Sequence, residues 1–223
     1  GLWMALNSKG VAYADLVTPL TVYDGKYRNN QKGLDGLIYG IERHKGELYV
    51  ATGSGLFMLE THPLTLEARK EGGRTSFREI RSGASMTWGL KSTENGLLVA
   101  ANDGVHRING EETERIAGIR AYTVTDSRRV KNRVYAGTSK GIVILQNEDG
   151  GWRDQMIEEI QEEVRSLREG PDGSLWARTI QGNVIVVRFA PDGRVSDVQR
   201  VGPEQGLPEG SGSSIALLDG EIT

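Results

Sequence analysis

The 223-residue chain contains no cysteine, which excludes disulfides, thiolate metal sites and a cysteine nucleophile together and leaves its compartment open. It holds three histidines and six prolines. His44 and His62 fall in predicted turns and His106 alternates along a predicted strand, so the three are expected to be solvated or packed apart rather than to share a metal or a proton. No apolar run approaches the roughly 18 residues that cross a bilayer as a helix, and no charged-then-apolar leader opens the chain. A formal charge of −3 over this length gives no electrostatic footprint for DNA or RNA. Basic residues do gather from Arg128 to Arg133, which reads as a solvated turn. Absent too are a phosphate loop, a Gly-x-Ser-x-Gly elbow, a calcium loop and a His-Glu-x-x-His motif, so neither cofactor nor metal is expected.

What the chain has is glycine, 30 residues of it, at regular places. Gly170 to Gly182 reads as a turn, a strand and a second turn: Pro171-Asp172-Gly173 is turn chemistry, Leu175-Trp176-Ala177 starts a strand, and Gly182 precedes the β-branched run Val184 to Val187. The unit is a β-hairpin, and it recurs. Asn132 to Gly141 precedes Ile142 to Leu145, with Tyr135 in the place of Trp176. Gly46 to Gly55 precedes Leu56 to Leu59, with Tyr49 in that place. Gly96 to Gly104 is one residue shorter and carries Leu98 there. Leu2 to Tyr13, with Trp3, holds one residue more.

The turn residues Gly46, Gly96, Asn132, Gly173 and Gly220 are spaced by 50, 36, 41 and 47 residues. Propeller blades repeat at roughly 40–50 residues. A further strand precedes each turn residue, at Leu37 to Ile41, Met86 to Leu90, Ala121 to Thr125, Val164 to Leu167 and Ser214 to Leu217. Another follows most hairpins, at Leu20 to Tyr23, Phe77 to Ile80, Glu114 to Ile116 and Val195 to Val201. Four antiparallel strands per period make one blade of an all-β propeller. A two-sheet sandwich also has many short strands, but it does not require one hairpin to recur at one phase. The expected organisation is a propeller segment over residues 1–223: a partial blade at 1–30, blades at about 36–81, 85–117, 119–157 and 163–201, and a partial blade at 210–223. That is about five blades of a larger, seven-bladed type. Trp3 starts inside a strand motif and Thr223 stops inside the next, so the chain is read as a piece of a longer protein.

Two stretches are expected to be long polar loops, 24–36 and 61–74. The repeat is strained between Gly151 and Glu169. Ile157, Ile160, Val164 and Leu167 there make a helical stripe. A short helical turn near Glu158 to Glu162, followed by a strand from Val164, is the expectation.

Two sets of aromatics stand at fixed phases. Trp3, Tyr49, Tyr135 and Trp176 share the hairpin phase and are expected to pack between blades. Tyr39, Trp88 and Tyr122 lie on the first strand, which lines a propeller's channel, where an aromatic lining suits a ligand with apolar or sugar faces. Loops joining fourth to first strands and second to third strands emerge on one face. Candidate ligand contacts there are Lys9, Asn102, Lys140 and Gln181, with Tyr39, Trp88, Tyr122 and Arg165 nearer the channel. No catalytic residue is assigned.

The repeats resemble the two-component regulator propeller repeats of the periplasmic sensor portions of bacterial hybrid histidine kinases and related signalling proteins. The family's Gly-Leu-Pro turn is matched by Gly206-Leu207-Pro208, ahead of Asp219-Gly220. Its Asp-Gly, Leu-Trp-x-x-Thr and Gly-Leu elements are matched by Asp172-Gly173, Leu175-Trp176 and Thr179, by Leu48-Tyr49, Thr52 and Gly55-Leu56, and by Leu2-Trp3 before Gly10-Val11. Gly96 to Gly104 lacks the aromatic, and Asn132 to Gly141 lacks the Asp-Gly turn. The resemblance implies a periplasmic sensor propeller in a membrane-anchored parent that signals to a kinase or cyclase domain. The segment itself would bind a small molecule or oligosaccharide without catalysis, touch neither membrane nor nucleic acid, and could pair as a homodimer. Two other readings stay open: a lactonase or lyase using a carboxylate-bound metal, and an interaction scaffold that dimerises through its propeller face.

Overall fold

The computed structural model describes residues 2–5, 11–14, 21–23, 34, 36–61, 75–80, 86–205, 215, 217–218 and 221–222. Lys9, His62, Gly206-Leu207-Pro208, Asp219-Gly220 and most of both polar stretches lie outside the described residues. An N-terminal sheet joins β1 (Leu2–Ala5), β2 (Val11–Ala14) and β3 (Thr21–Tyr23) in that order. Four four-stranded sheets follow. The first holds β4 (Ile38–His44), β5 (Glu47–Thr52), β6 (Gly55–Thr61) and β7 (Thr75–Ile80). The second holds β8 (Thr87–Thr93), β9 (Gly96–Ala101), β10 (Val105–Asn109) and β11 (Glu112–Ala117). The third holds β12 (Thr123–Asp126), β13 (Arg133–Thr138), β14 (Gly141–Glu148) and β15 (Gly151–Met156). The fourth holds β16 (Val164–Glu169), β17 (Leu175–Thr179), β18 (Val184–Phe189) and β19 (Val195–Val201). A two-stranded ladder, β20 (Leu217–Leu218) with β21 (Glu221–Ile222), ends the chain.

Every sheet is an antiparallel meander, and the first strands touch in succession: β4 with β8, β8 with β12, β12 with β16. The sheets therefore fan out from a shared inner edge, as propeller blades do. The core is divided among the gaps between them. Tyr49 and Leu56 of the first four-stranded blade pack against Leu97, Val99 and Ile108 of the second. Leu98 and Val105 pack against Val124, Val134 and Val143 of the third. Tyr135 and Ile142 pack against Leu167, Leu175 and Val187 of the fourth. Each fully buried aliphatic side chain contributes about 1.5–3 kcal/mol. Tyr49 and Tyr135 thus fill gaps between blades, and Tyr135 also stacks on Phe189 with ring centres 5.5 Å apart, whereas Trp176 is half-buried and donates to Ser174 Oγ of its own blade at 2.8 Å.

The turn chemistry is as the repeat requires. Gly46 and Gly173 take φ of 90° and 81°, and Asn132, which stands in for glycine, takes 59°. At the other end of the hairpin the threonine of the repeat shapes the turn. Thr138 Oγ1 donates to the Gly141 carbonyl at 3.0 Å and accepts from the Lys140 N–H at 3.1 Å. Thr52 does the same with Gly55 and Ser54.

Four expectations need correction. No helix forms at Glu158 to Glu162; β15 ends at Met156, and a single turn in which the Ile160 N–H donates to the Ile157 carbonyl at 3.1 Å opens the connection to β16. Ile157, Ile160, Val164 and Leu167 are all buried in one core cluster, yet the three-residue spacing of the last pair comes from a β-bulge at Arg165. The bulge adds one residue and restores the face that a period-2 strand would have lost. The fourth strand of the third blade, β15, is polar and mostly exposed, so it carried no hydrophobic signal. His44 lies not in a turn but at the end of β4, only 4% exposed. Finally, the basic cluster is not simply solvated: the Arg128 backbone N–H and the Arg129 guanidinium reach into the next blade, to the Glu169 carboxylate and the Pro171 carbonyl.

Candidate ligand-binding site

The first strands of the first, second and fourth four-stranded blades are bulged at one position. Ile38 faces Thr52 and Gly40 faces Ala51, which leaves Tyr39 as the extra residue. Trp88 is extra between Thr87 and Gly89, and Arg165 between Val164 and Ser166. Tyr122 occupies the same place in the third blade, directly before Thr123, with its N–H donating to the Gly137 carbonyl at 2.8 Å. A bulge re-aims the extra side chain at Tyr39, Trp88 and Arg165, and Tyr122, just ahead of β12, joins them in one run of contacts.

The rings of Tyr39 and Trp88 are centred 4.5 Å apart at an interplanar angle of 43°. Those of Trp88 and Tyr122 are 5.3 Å apart and edge to face at 85°. Such tilted and T-shaped pairs match the ring quadrupoles. The Arg165 guanidinium carbon lies 3.8 Å from the Tyr122 ring centre and 5.5 Å from that of Trp88. Glu163 forms an ion pair with Arg165 from the connection into β16. The Trp88 indole N–H donates to Asn102 Oδ1 at 3.0 Å, across the turn that follows β9.

Of the residues singled out from the sequence, Tyr39, Trp88, Tyr122, Arg165 and Asn102 come together. Lys140 and Gln181 stand exposed in the turns after β13 and β17 and take no part in those contacts. Sequence reasoning missed Glu163, whose signal was its place two residues before Arg165. It also missed most of the exposed apolar side chains. Leu37, Tyr39, Met156 and Ile180 are the exposed large hydrophobics among the described residues, at 44, 36, 38 and 46%. By topology all four lie at the end of the sheets where the fourth-to-first and second-to-third connections emerge. The site thus offers aromatic surface and one guanidinium already balanced by a carboxylate. Among the described residues no group of three or more His, Asp or Glu is placed to hold a metal ion.

Neither a protein-family model nor a curated protein matches this chain. Among solved structures, the extracellular domain of the hybrid two-component system BT3049 from B. thetaiotaomicron aligns with a TM-score of 0.64 at 16% identity, covering 96% of this chain and 29% of that one. An ancestral GH74 enzyme aligns with a TM-score of 0.62 at 17% identity, covering 94% of this chain and 30% of the enzyme. The extracellular domain of the one-component system BT4673 from B. thetaiotaomicron aligns with a TM-score of 0.53 at 15% identity, covering 97% and 34%. The chain has the β-propeller fold. It spans about a third of the length of these three neighbours. Sensor domains and an enzyme share the architecture, so this propeller's role has to be argued from its own site.

Proposed function

We propose that this chain is part of the sensory propeller of a bacterial two-component-type signalling protein, lies outside the cytoplasmic membrane, and binds a small organic ligand at the cluster of Tyr39, Trp88, Tyr122 and Arg165. The observation that carries the reading is the contact of these four side chains, three of them placed by a bulge at the same position of their blades. Blade packing is already met by the residue just before each, buried in its blade as Ile38, Thr87, Ala121 and Val164. An aromatic or arginine at the next position adds a partly open surface that the fold does not need. Tilted rings suit the apolar face of a sugar or a planar organic group, and Asn102 supplies a polar group beside them.

The likeness to two bacterial extracellular domains supports the sensor role and the location. The site's chemistry supports recognition without catalysis: glycoside hydrolysis needs two carboxyl groups across the scissile bond, whereas Glu163 is the one carboxylate described at this cluster and is engaged by Arg165.

A calorimetric and thermal-shift screen against oligosaccharides and small organic acids tests the reading. A ligand at 100 times its Kd adds about 2.7 kcal/mol, a shift of a few degrees. Trp88→Ala and Tyr122→Ala are expected to abolish that shift while circular dichroism stays that of a folded β protein. Retention of affinity in both variants would place the site elsewhere.

A further inference from the structure

The connections between first and second strands, and between third and fourth, emerge at the opposite end of the sheets from the aromatic cluster. Between the third and fourth four-stranded blades they enclose a crevice of about 640 Å³, within the range of small-molecule sites. Glu169 lines it and is only 6% exposed. Its carboxylate accepts from the Ser127 hydroxyl at 2.7 Å and from the Arg128 backbone N–H at 2.5 Å. Both donors are uncharged, and no ion pair to Glu169 is seen among the described residues. The crevice is also lined by Val130, Phe189 and Pro191 and by a second carboxylate, Asp172, whose Oδ1 accepts from the Ser174 N–H and hydroxyl at 3.0 and 2.6 Å.

Two guanidinium groups also line the crevice. Arg129 donates from Nη2 to the Pro171 carbonyl at 3.1 Å, and Arg188 donates from Nη1 to Asp197 and Gln199 at 2.8 and 3.2 Å. A guanidinium carries five N–H donors, so each keeps several not engaged among the described residues. The crevice therefore combines a buried carboxylate, a second one held by Ser174, apolar side chains and two partly used cations.

We propose that this crevice binds a zwitterionic small molecule, an α-amino acid with an apolar side chain, whose ammonium approaches Glu169, whose carboxylate meets Arg129 and Arg188, and whose side chain rests on Phe189 and Val130. The ammonium would give Glu169 a charged donor beside the two uncharged ones it already has. The carboxylate takes up guanidinium donors in the charge-assisted geometry that arginine favours. This site is separate from the aromatic cluster and does not depend on the sensor reading.

Isothermal titration of the chain with L-phenylalanine, 3-phenylpropionate and 2-phenylethylamine tests it, since the last two each lack one charged group. L-Phenylalanine is expected to bind, and each analogue to bind about tenfold or more weakly, because a hydrogen bond to a charged group is lost. Arg188→Gln, on the exposed rim, should weaken L-phenylalanine while leaving 2-phenylethylamine unchanged. Glu169→Gln should narrow the gap between L-phenylalanine and 3-phenylpropionate, and Trp88→Ala should alter neither. Equal binding of 3-phenylpropionate and L-phenylalanine would make this a plain anion site and overturn the proposal. So would the absence of heat with L-phenylalanine and L-leucine alike, or an affinity for L-phenylalanine that Arg188→Gln leaves intact.

Discussion

The Arg165 guanidinium carbon sits 3.8 Å from the centre of the Tyr122 ring, so a cation from one blade covers the aromatic of the blade before it. The contact joins two blades at their inner edges, where β12 lies against β16. A cation–π pair contributes about 0.5–2 kcal/mol, more as it is desolvated. Arg165→Ala should therefore lower stability by about that amount, read as a fall in the urea midpoint at unchanged slope. Arg165→Lys keeps the charge but not the planar stacking and should recover only part of it. A double-mutant cycle with Tyr122→Ala isolates the pair; a coupling indistinguishable from zero would show that the two side chains are merely adjacent.

The local half of this fold was open to reading from the chain. A hairpin whose turn needs positive φ announces itself through Gly46, Asn132 and Gly173, and Thr52, Thr138 and Thr179 mark the following turn in three of the blades. What misled was a change of period. Val164 and Leu167 are three apart because a bulge intervenes, and a bulge leaves the same spacing as a helix would. The strand β15 was invisible for the opposite reason, since its exposed polar residues bury no stripe. At the site, the aromatics could be picked out because they recur at one phase. The pairing of Glu163 with Arg165, the bond from Trp88 to Asn102 and the reach of Arg128 to Glu169 could not, because no periodicity encodes a side-chain partner.

Close approach of the inner strands rests on glycine, and unequally. A Cβ at Gly89 would lie 2.9 Å from the Tyr122 carbonyl oxygen and 3.3 Å from Thr123 Cα, both backbone atoms of the next blade. At Gly40 the nearest atom, the Trp88 carbonyl oxygen, would be an ordinary 3.7 Å away. Gly89→Ala is therefore expected to force the second and third blades apart at a cost of about 1–3 kcal/mol, and Gly40→Ala to be close to neutral. Thermal melts of the two variants decide it. Equal losses would mean that the inner strands shift freely.

The buried hydroxyl of Thr138 makes a comparable prediction about the turns. Its Oγ1 serves the Lys140 N–H and the Gly141 carbonyl at once. Thr138→Val keeps the shape and removes both bonds, so stability should fall by about 1–3 kcal/mol, the cost of stranding buried polar groups. Thr138→Ser retains the hydroxyl and should lose less. A valine variant as stable as the serine one would assign the residue's role to shape alone.

The last prediction concerns acid. His44 is 4% exposed at the gap between the first two four-stranded blades; Nδ1 lies 2.9 Å from Ser92 Oγ, while Nε2 is buried without a hydrogen-bond partner. Burial first, and the positive charge of Lys45 second, hold its pKa below the ordinary 6.5. Above 6.5 the imidazole is neutral in both folded and unfolded chains, and its environment costs nothing in protons. As the pH falls through 6.5 the unfolded chain binds a proton that the folded chain still refuses, so stability drops, and the loss levels off only once the pH is below the folded-state pKa. His44→Gln cannot titrate and should lack this component, although it is less stable at neutral pH. Urea midpoints of both proteins at pH of about 7.5 and about 5 measure the difference. If their midpoints fall in parallel, the acid sensitivity belongs to other groups, and His44 is a packing residue whose protonation the fold tolerates.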